Sequence, residues 1–190
     1  MKLICRIFHF VYIRIPPHYI YLEAKTKMLN NIIENLELIE PHQAFFILKN
    51  CLSTPYSYTH CKESAPCFKY TEKLEVFDTA IKTNMEKMYN VSFGKENWSQ
   101  ASLPIRHAGL GLRSTVDLSL SCFLSSSHVC KGLVNRLLPS LNPEIPYGDV
   151  NDAIDDWSKH HNSSPLEKGI QAAWDNLTLQ GYTQFPAKHQ

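Results

Sequence analysis

The sequence has no long hydrophobic run, no internal repeat and no low-complexity tract. A membrane-spanning helix needs about 20 consecutive apolar residues. The most apolar stretch, MKLICRIFHFVYIRIPP at positions 1–17, is too short and is interrupted by Arg6, His9 and Arg14. No small-residue cleavage site follows it, so it does not read as a signal peptide, and the chain is expected to be intracellular. Its near-alternation at Ile7, His9, Val11 and Ile13 predicts a short strand ended by Pro16-Pro17. Net charge is also nearly missing, with 19 Lys and Arg against 18 Asp and Glu. That balance names no partner, but its distribution is uneven. Residues up to Pro139 hold 16 basic and 11 acidic side chains, a net of +5, whereas the rest hold 3 and 7, a net of −4.

What remains is an ordinary globular composition. Hydrophobic residues are 44% and charged residues 19% of 190 positions, which excludes intrinsic disorder and suffices for one domain with a real core. Six cysteines over this length do not make a disulfide scaffold. Cys61 and Cys67 lack the tight spacing of a zinc knuckle, and Cys122, His128 and Cys130 do not form a convincing ligand set. No metal or cofactor is expected.

Apolar residues at helical spacing predict a chain of helices. Leu22, Leu29, Ile32, Ile33, Leu36 and Ile39 mark the first, ending near Glu40 because proline disfavours helical conformation in the residue before it. Pro41 suits the first turn of a second helix running to about Leu52. Residues Tyr56 to Phe68 read as a connection. Leu74, Phe77, Ile81, Met85 and Met88 form the cleanest stripe, in a helix from Tyr70 to Met88 closed by Asn90 and Gly94. Lys95 to Ala101 predicts a short helix. Ser114, followed three residues later by Asp117, resembles a capping box and opens a long helix towards Leu138, with Ser125-Ser126-Ser127 as a point where it could divide. Two more helices are expected at Val150–His160 and Pro165–Leu177, with the last dozen residues frayed. The fold class is therefore all-α: an irregular bundle of about five to seven helices, with the short N-terminal strand as its one β element.

The stretch with most to explain is WSQASLPIRHAGLGLRS, Trp98 to Ser114. Gly109-Leu110-Gly111 is not a phosphate-cradling loop, since it has neither Gly-Lys-Ser/Thr nor a preceding strand with a third glycine. Pro104, Gly109 and Gly111 instead read as a structural turn that needs positive φ or close packing. Lys49, Arg106, His107 and Arg113 are candidate phosphate-neutralising residues. Ala153-Ile154-Asp155-Asp156 is superficially similar to the Tyr-x-Asp-Asp carboxylates of template-copying polymerases, but it falls in a helix and lacks the tyrosine and the strands. His160-His161 has no partner at metal-ligand spacing. No catalytic residue is expected.

QASLPIRHAGLGLRS, residues 100–114, resembles a segment of the reverse transcriptases of non-LTR, LINE-like retrotransposons. There a Gln-Ala-Ser-Leu-Pro run leads through an arginine to a Gly-Gly-Leu-Gly turn, and a following helix carries a cluster similar to Cys122-Phe123-Leu124-Ser125. PHQAFFILKNCLSTP, residues 41–55, is similar to that family's His-x-Ala helix ending in Lys/Arg-Asn-Cys and a proline. APCF at 65–68 is similar to its Ser-Pro-Cys-Phe, and the Tyr70–Val91 helix, ending in YNVSF and followed by Trp98, falls where that family carries a similar helix. The first glycine of the family's turn is Ala108 here. The resemblance divides the chain into an unmatched segment 1–21, a thumb-like helical region 22–139 and a C-terminal helical extension 140–190.

The resemblance implies thumb and downstream helices, with nothing in these residues corresponding to the palm whose carboxylates hold Mg²⁺. Polymerase activity is then not expected of this chain on its own. The implied partners are an RNA–DNA or DNA duplex, held weakly through its backbone by Arg106, Arg113 and Lys49, and an upstream fingers and palm domain; no membrane is implied. The competing reading is a small helical protein–protein interaction module, which predicts a sizeable exposed apolar face on one helix.

Overall fold

The computed structural model describes residues 18–53, 66–137, 148–161 and 171–183. These residues form seven α-helices and no strand. The predicted N-terminal strand, most of the Tyr56–Phe68 connection and the proline-rich stretch after Leu137 lie outside them.

Helix α1 spans His18–Leu36 and buries Leu22, Thr26, Leu29, Ile33 and Leu36 along one face. It stops three residues before Ile39. The backbone turns instead, Leu38 and Ile39 donating to Asn35 and Leu36, because Leu36 is the last position of the stripe with a core to enter and Leu38 is 82% exposed. Helix α2, Pro41–Ile47, starts on its proline and widens into a π turn over Leu48–Leu52, where the Ser53 amide donates to the Leu48 carbonyl five residues back. Helix α3, Thr71–Tyr89, follows a short 3₁₀ turn at Cys67–Tyr70 and ends at Asn90, whose left-handed φ of 51° suits an asparagine C-cap. Helix α4 is Lys95–Ser102. Helix α5, Thr115–Leu137, runs unbroken through Ser125-Ser126-Ser127. Helices α6, Gly148–His161, and α7, Gln171–Thr183, complete the set.

Three adjoining clusters make the core. Leu29, Ile33 and Leu36 of α1 meet Ala44 of α2, Leu48 and Leu52 of the π turn, Phe77, Ile81 and Met85 of α3, and Leu112. Leu22, Cys67, Leu74, Leu118 and Cys122 join α1, α3 and α5. Phe123 and Leu124 of α5 then pack on Ala153 and Trp157 of α6 and Trp174 of α7, with the two indoles edge to face at 5.1 Å. Each buried Leu, Ile, Phe or Met contributes about 1.5–3 kcal/mol over its exposed state. Helices α6 and α7 thus share a core with α5.

Helix α5 touches neighbours on several sides, which explains why its serines do not break it. Ser119, Ser121, Cys122 and Ser125 are buried beside Leu118, Phe123 and Leu124, and their small volume lets α3, α6 and α7 approach closely. Its far end is different. Val129, Leu133 and Leu137, one turn apart on successive turns, are 53%, 44% and 68% exposed.

The N-terminus of α5 is fastened to α3 by one carboxylate. Asp78 accepts the Thr115 amide at 2.9 Å, the Thr115 hydroxyl at 2.7 Å and the Ser114 hydroxyl at 2.8 Å, with the Val116 amide at 3.4 Å. Ser114 in turn accepts the Asp117 amide at 3.3 Å, the local half of the expected capping box. Burial pushes the Asp78 carboxyl above its ordinary range, against the pull of these donors. Replacing Asp78 by Ala should cost about 2–4 kcal/mol, the loss of a helix cap together with unpaired buried donors. The raised carboxyl also fixes a sign. The folded state holds this proton more tightly than the unfolded chain, so the contribution is present below the unfolded carboxylate value of about 4 and is lost as pH rises through the higher folded value. In urea denaturation across that window, the wild type should lose stability relative to Asp78→Asn as pH rises; the opposite slope would show that the hydrogen bonds, not burial, dominate.

Candidate functional site

Between α4 and α5 the chain folds back on itself. Pro104, with φ of −57°, opens a 3₁₀ turn at Ile105–His107. The loop is then tied to the end of α4: the Leu110 amide donates to Ala101, the Gly111 amide to Leu103, and the Gln100 side chain to the carbonyls of His107 and Ala108. The two glycines serve different needs. A Cβ on Gly109 would lie 2.0 Å from the Leu103 carbonyl oxygen, so no side chain fits there. Gly111 has φ of 79°, and a Cβ on it would meet the Lys49 side chain at 3.0 Å. Ala108 itself has φ of 58°, the left-handed region that favours glycine.

This turn forms one wall of an open cleft of about 400 Å³, lined by Lys49, Pro104, Ile105, Arg106, Gly111 and Arg113 and closed on its other side by Gln171, Ala172 and Asp175 of α7. Three basic residues singled out from the sequence, at positions 49, 106 and 113, therefore share one site, together with Pro104 and Gly111. Lys49 reaches it from the π turn, with its ammonium 5.8 Å from the Phe45 ring centre. His107, the fourth basic candidate, accepts the Arg106 Nε at 3.2 Å through its own Nε2.

The three cations are not equivalent. Arg113 makes a two-point ion pair with Asp175, at 2.6 and 2.9 Å, and both side chains are only 11% exposed. The pair pins α7 to the start of α5 and as a unit carries no net charge. Arg106 is exposed and donates to Asn176 Oδ1 at 2.7 Å. Among the described residues neither Arg106 nor Lys49 has a carboxylate at ion-pair distance.

A second set of groups lies beside the cleft. Tyr182 of α7 donates to the Asp117 carboxylate at 3.0 Å. Burial pushes the Asp117 carboxyl up and the Tyr182 phenol up to about 12, helped by the neighbouring carboxylate. Asp175 and Tyr182 carry no local sequence signal, since their partners lie 62 and 65 positions away. Asp117 was visible only as part of a capping pattern.

The remaining sequence candidates are placed apart from the cleft. Asp155 and Asp156 lie on α6, where Asp156 faces Lys159 at 3.7 Å. His160 bonds its own helix, and His161 packs at a tilt against Trp157 with ring centres 4.0 Å apart. Cys122 is buried and Cys130 exposed; Cys61 lies outside the described residues. Among the described residues no group of three or more His, Cys, Asp or Glu is arranged to hold a metal ion, and no helix is long and apolar enough to cross a membrane. No family model matches the chain, and no curated protein or solved structure matches it.

The turn yields a paired prediction. Ala108→Gly relieves a left-handed alanine at an exposed position and should raise stability by about 0.5–1 kcal/mol. Gly109→Ala drives a methyl group into a carbonyl and should cost about 3 kcal/mol or more. Thermal unfolding of the two variants measures both, and equal midpoints would contradict the geometry.

Proposed function

We propose that the chain derives from the thumb and downstream helices of a non-LTR retrotransposon reverse transcriptase, and that it binds nucleic acid weakly through the backbone without copying it. The family part of this reading is supported by two blocks, 41–55 and 100–125, which stand in the family's order among helices. The binding part rests on one observation, the convergence of Lys49, Arg106 and Arg113 on a single cleft. Phosphoryl transfer needs metal-held charge stabilisation, and the resemblance assigns that to a palm outside these residues. An RNA–DNA hybrid or DNA duplex is the partner proposed, with an upstream fingers and palm domain where one is encoded.

On this reading the three basic residues have different roles. Arg113 is committed to Asp175, so its contribution is to hold the wall of the cleft, and the phosphate-facing charge falls to Lys49 and Arg106. One observation favours the second reading, a helical protein–protein interaction module: the exposed row Val129, Leu133 and Leu137 on α5.

Gel shift against an RNA–DNA hybrid over a series of salt concentrations separates the two. Binding should weaken with salt, and Arg106→Ala should lower the slope of log affinity against log salt by about 1. Arg113→Ala should act on the fold instead, costing about 3–5 kcal/mol by leaving Asp175 buried and unpaired. Absence of any shift at low salt would sink the nucleic-acid reading and leave the interaction module.

A further inference from the structure

The cleft carries more positive charge than its own walls neutralise. Arg113 and Asp175, both in its lining, pair with each other and together carry no net charge. Lys49 and Arg106 remain, two cations without a carboxylate partner among the described residues, on opposite sequence segments of one concave site. Lys49 is held there by the fold, because its side chain lies against Gly111, the residue with no Cβ to obstruct it.

Charge selects the ligand. A phosphodiester carries one negative charge. A phosphate monoester carries about −1.5 to −2 at neutral pH, which two unpaired cations match. Pro104 and the exposed Ile105 supply apolar surface beside Arg106 for the attached sugar or base.

We infer that the cleft binds a terminal phosphate monoester, on a nucleic-acid strand end or a free nucleotide, between Lys49 and Arg106. The inference rests on the reading of the chain as a nucleic-acid-binding protein and names the group it recognises. Arg113 is a positioning residue that fixes the α7 wall through Asp175.

The test uses the full chain and fluorescence anisotropy with a short single-stranded oligonucleotide bearing a terminal phosphate, compared with the same strand after phosphatase treatment. The phosphorylated strand should bind about fivefold tighter or more. Arg106→Ala and Lys49→Gln should each abolish the difference. Arg106 is exposed, so its variant should keep the wild-type unfolding midpoint and carries the test if the lysine variant does not fold. Displacement by adenosine monophosphate but not by adenosine would support the site with a free nucleotide as ligand. A persistent preference without displacement would support it with a strand end. Equal, salt-sensitive affinity for the two strands would overturn the inference and leave the broader nucleic-acid reading standing. No binding of either strand would overturn both.

Discussion

The Asp78 carboxylate stands at the point from which the rest of the arrangement is built. A buried carboxylate is costly on its own, and here the cost is partly offset by donors concentrated at one helix start: the Thr115 amide and hydroxyl and the Ser114 hydroxyl. Those groups need a partner for the same reason, because the first amides of a helix have none within it. The contact fixes where α5 begins against α3. Since α5 is the helix on which α6 and α7 pack, the position of the C-terminal helices follows from this attachment.

The glycine turn transmits that position to the cleft. Its backbone is tied to the end of α4 by the Leu110 and Gly111 amides, and it leaves no room for a side chain at Gly109. Arg113 emerges immediately after it and meets Asp175, so the turn and α7 become two walls at a set spacing. One arginine is thereby converted from a recognition group into a structural one. Charge available to a ligand is what remains after such internal pairing, and here that is Lys49 and Arg106.

Helix α5 has two dissimilar ends. Its N-terminal half is buried on several sides and built from small residues with Leu118, Phe123 and Leu124, which suits a central packing element. Beyond Ser126 its neighbours fall away, and Val129, Leu133 and Leu137 continue the helical stripe into solvent. The same periodicity therefore means core at one end and open surface at the other.

Much of the secondary structure was legible in the sequence because helical periodicity and capping are encoded within a few residues. The stripe from Leu74 to Met85, proline at the start of α2, the closure of α3 at Asn90 and the cap at Ser114 are all local patterns, and each lies where its spacing placed it. The glycines of the turn were legible as backbone requirements, though not that Gly109 answers to a carbonyl and Gly111 to a positive φ. Tertiary structure alone decided the rest. The stop of α1 at Leu36, the continuity of α5 through three serines and the exposure of its far end depend on which neighbours arrive. The roles of Asp78, Asp175 and Tyr182 depend on partners 36 to 65 positions away. A local pattern determines which groups a helix presents, and only the path of the chain determines which of them meet.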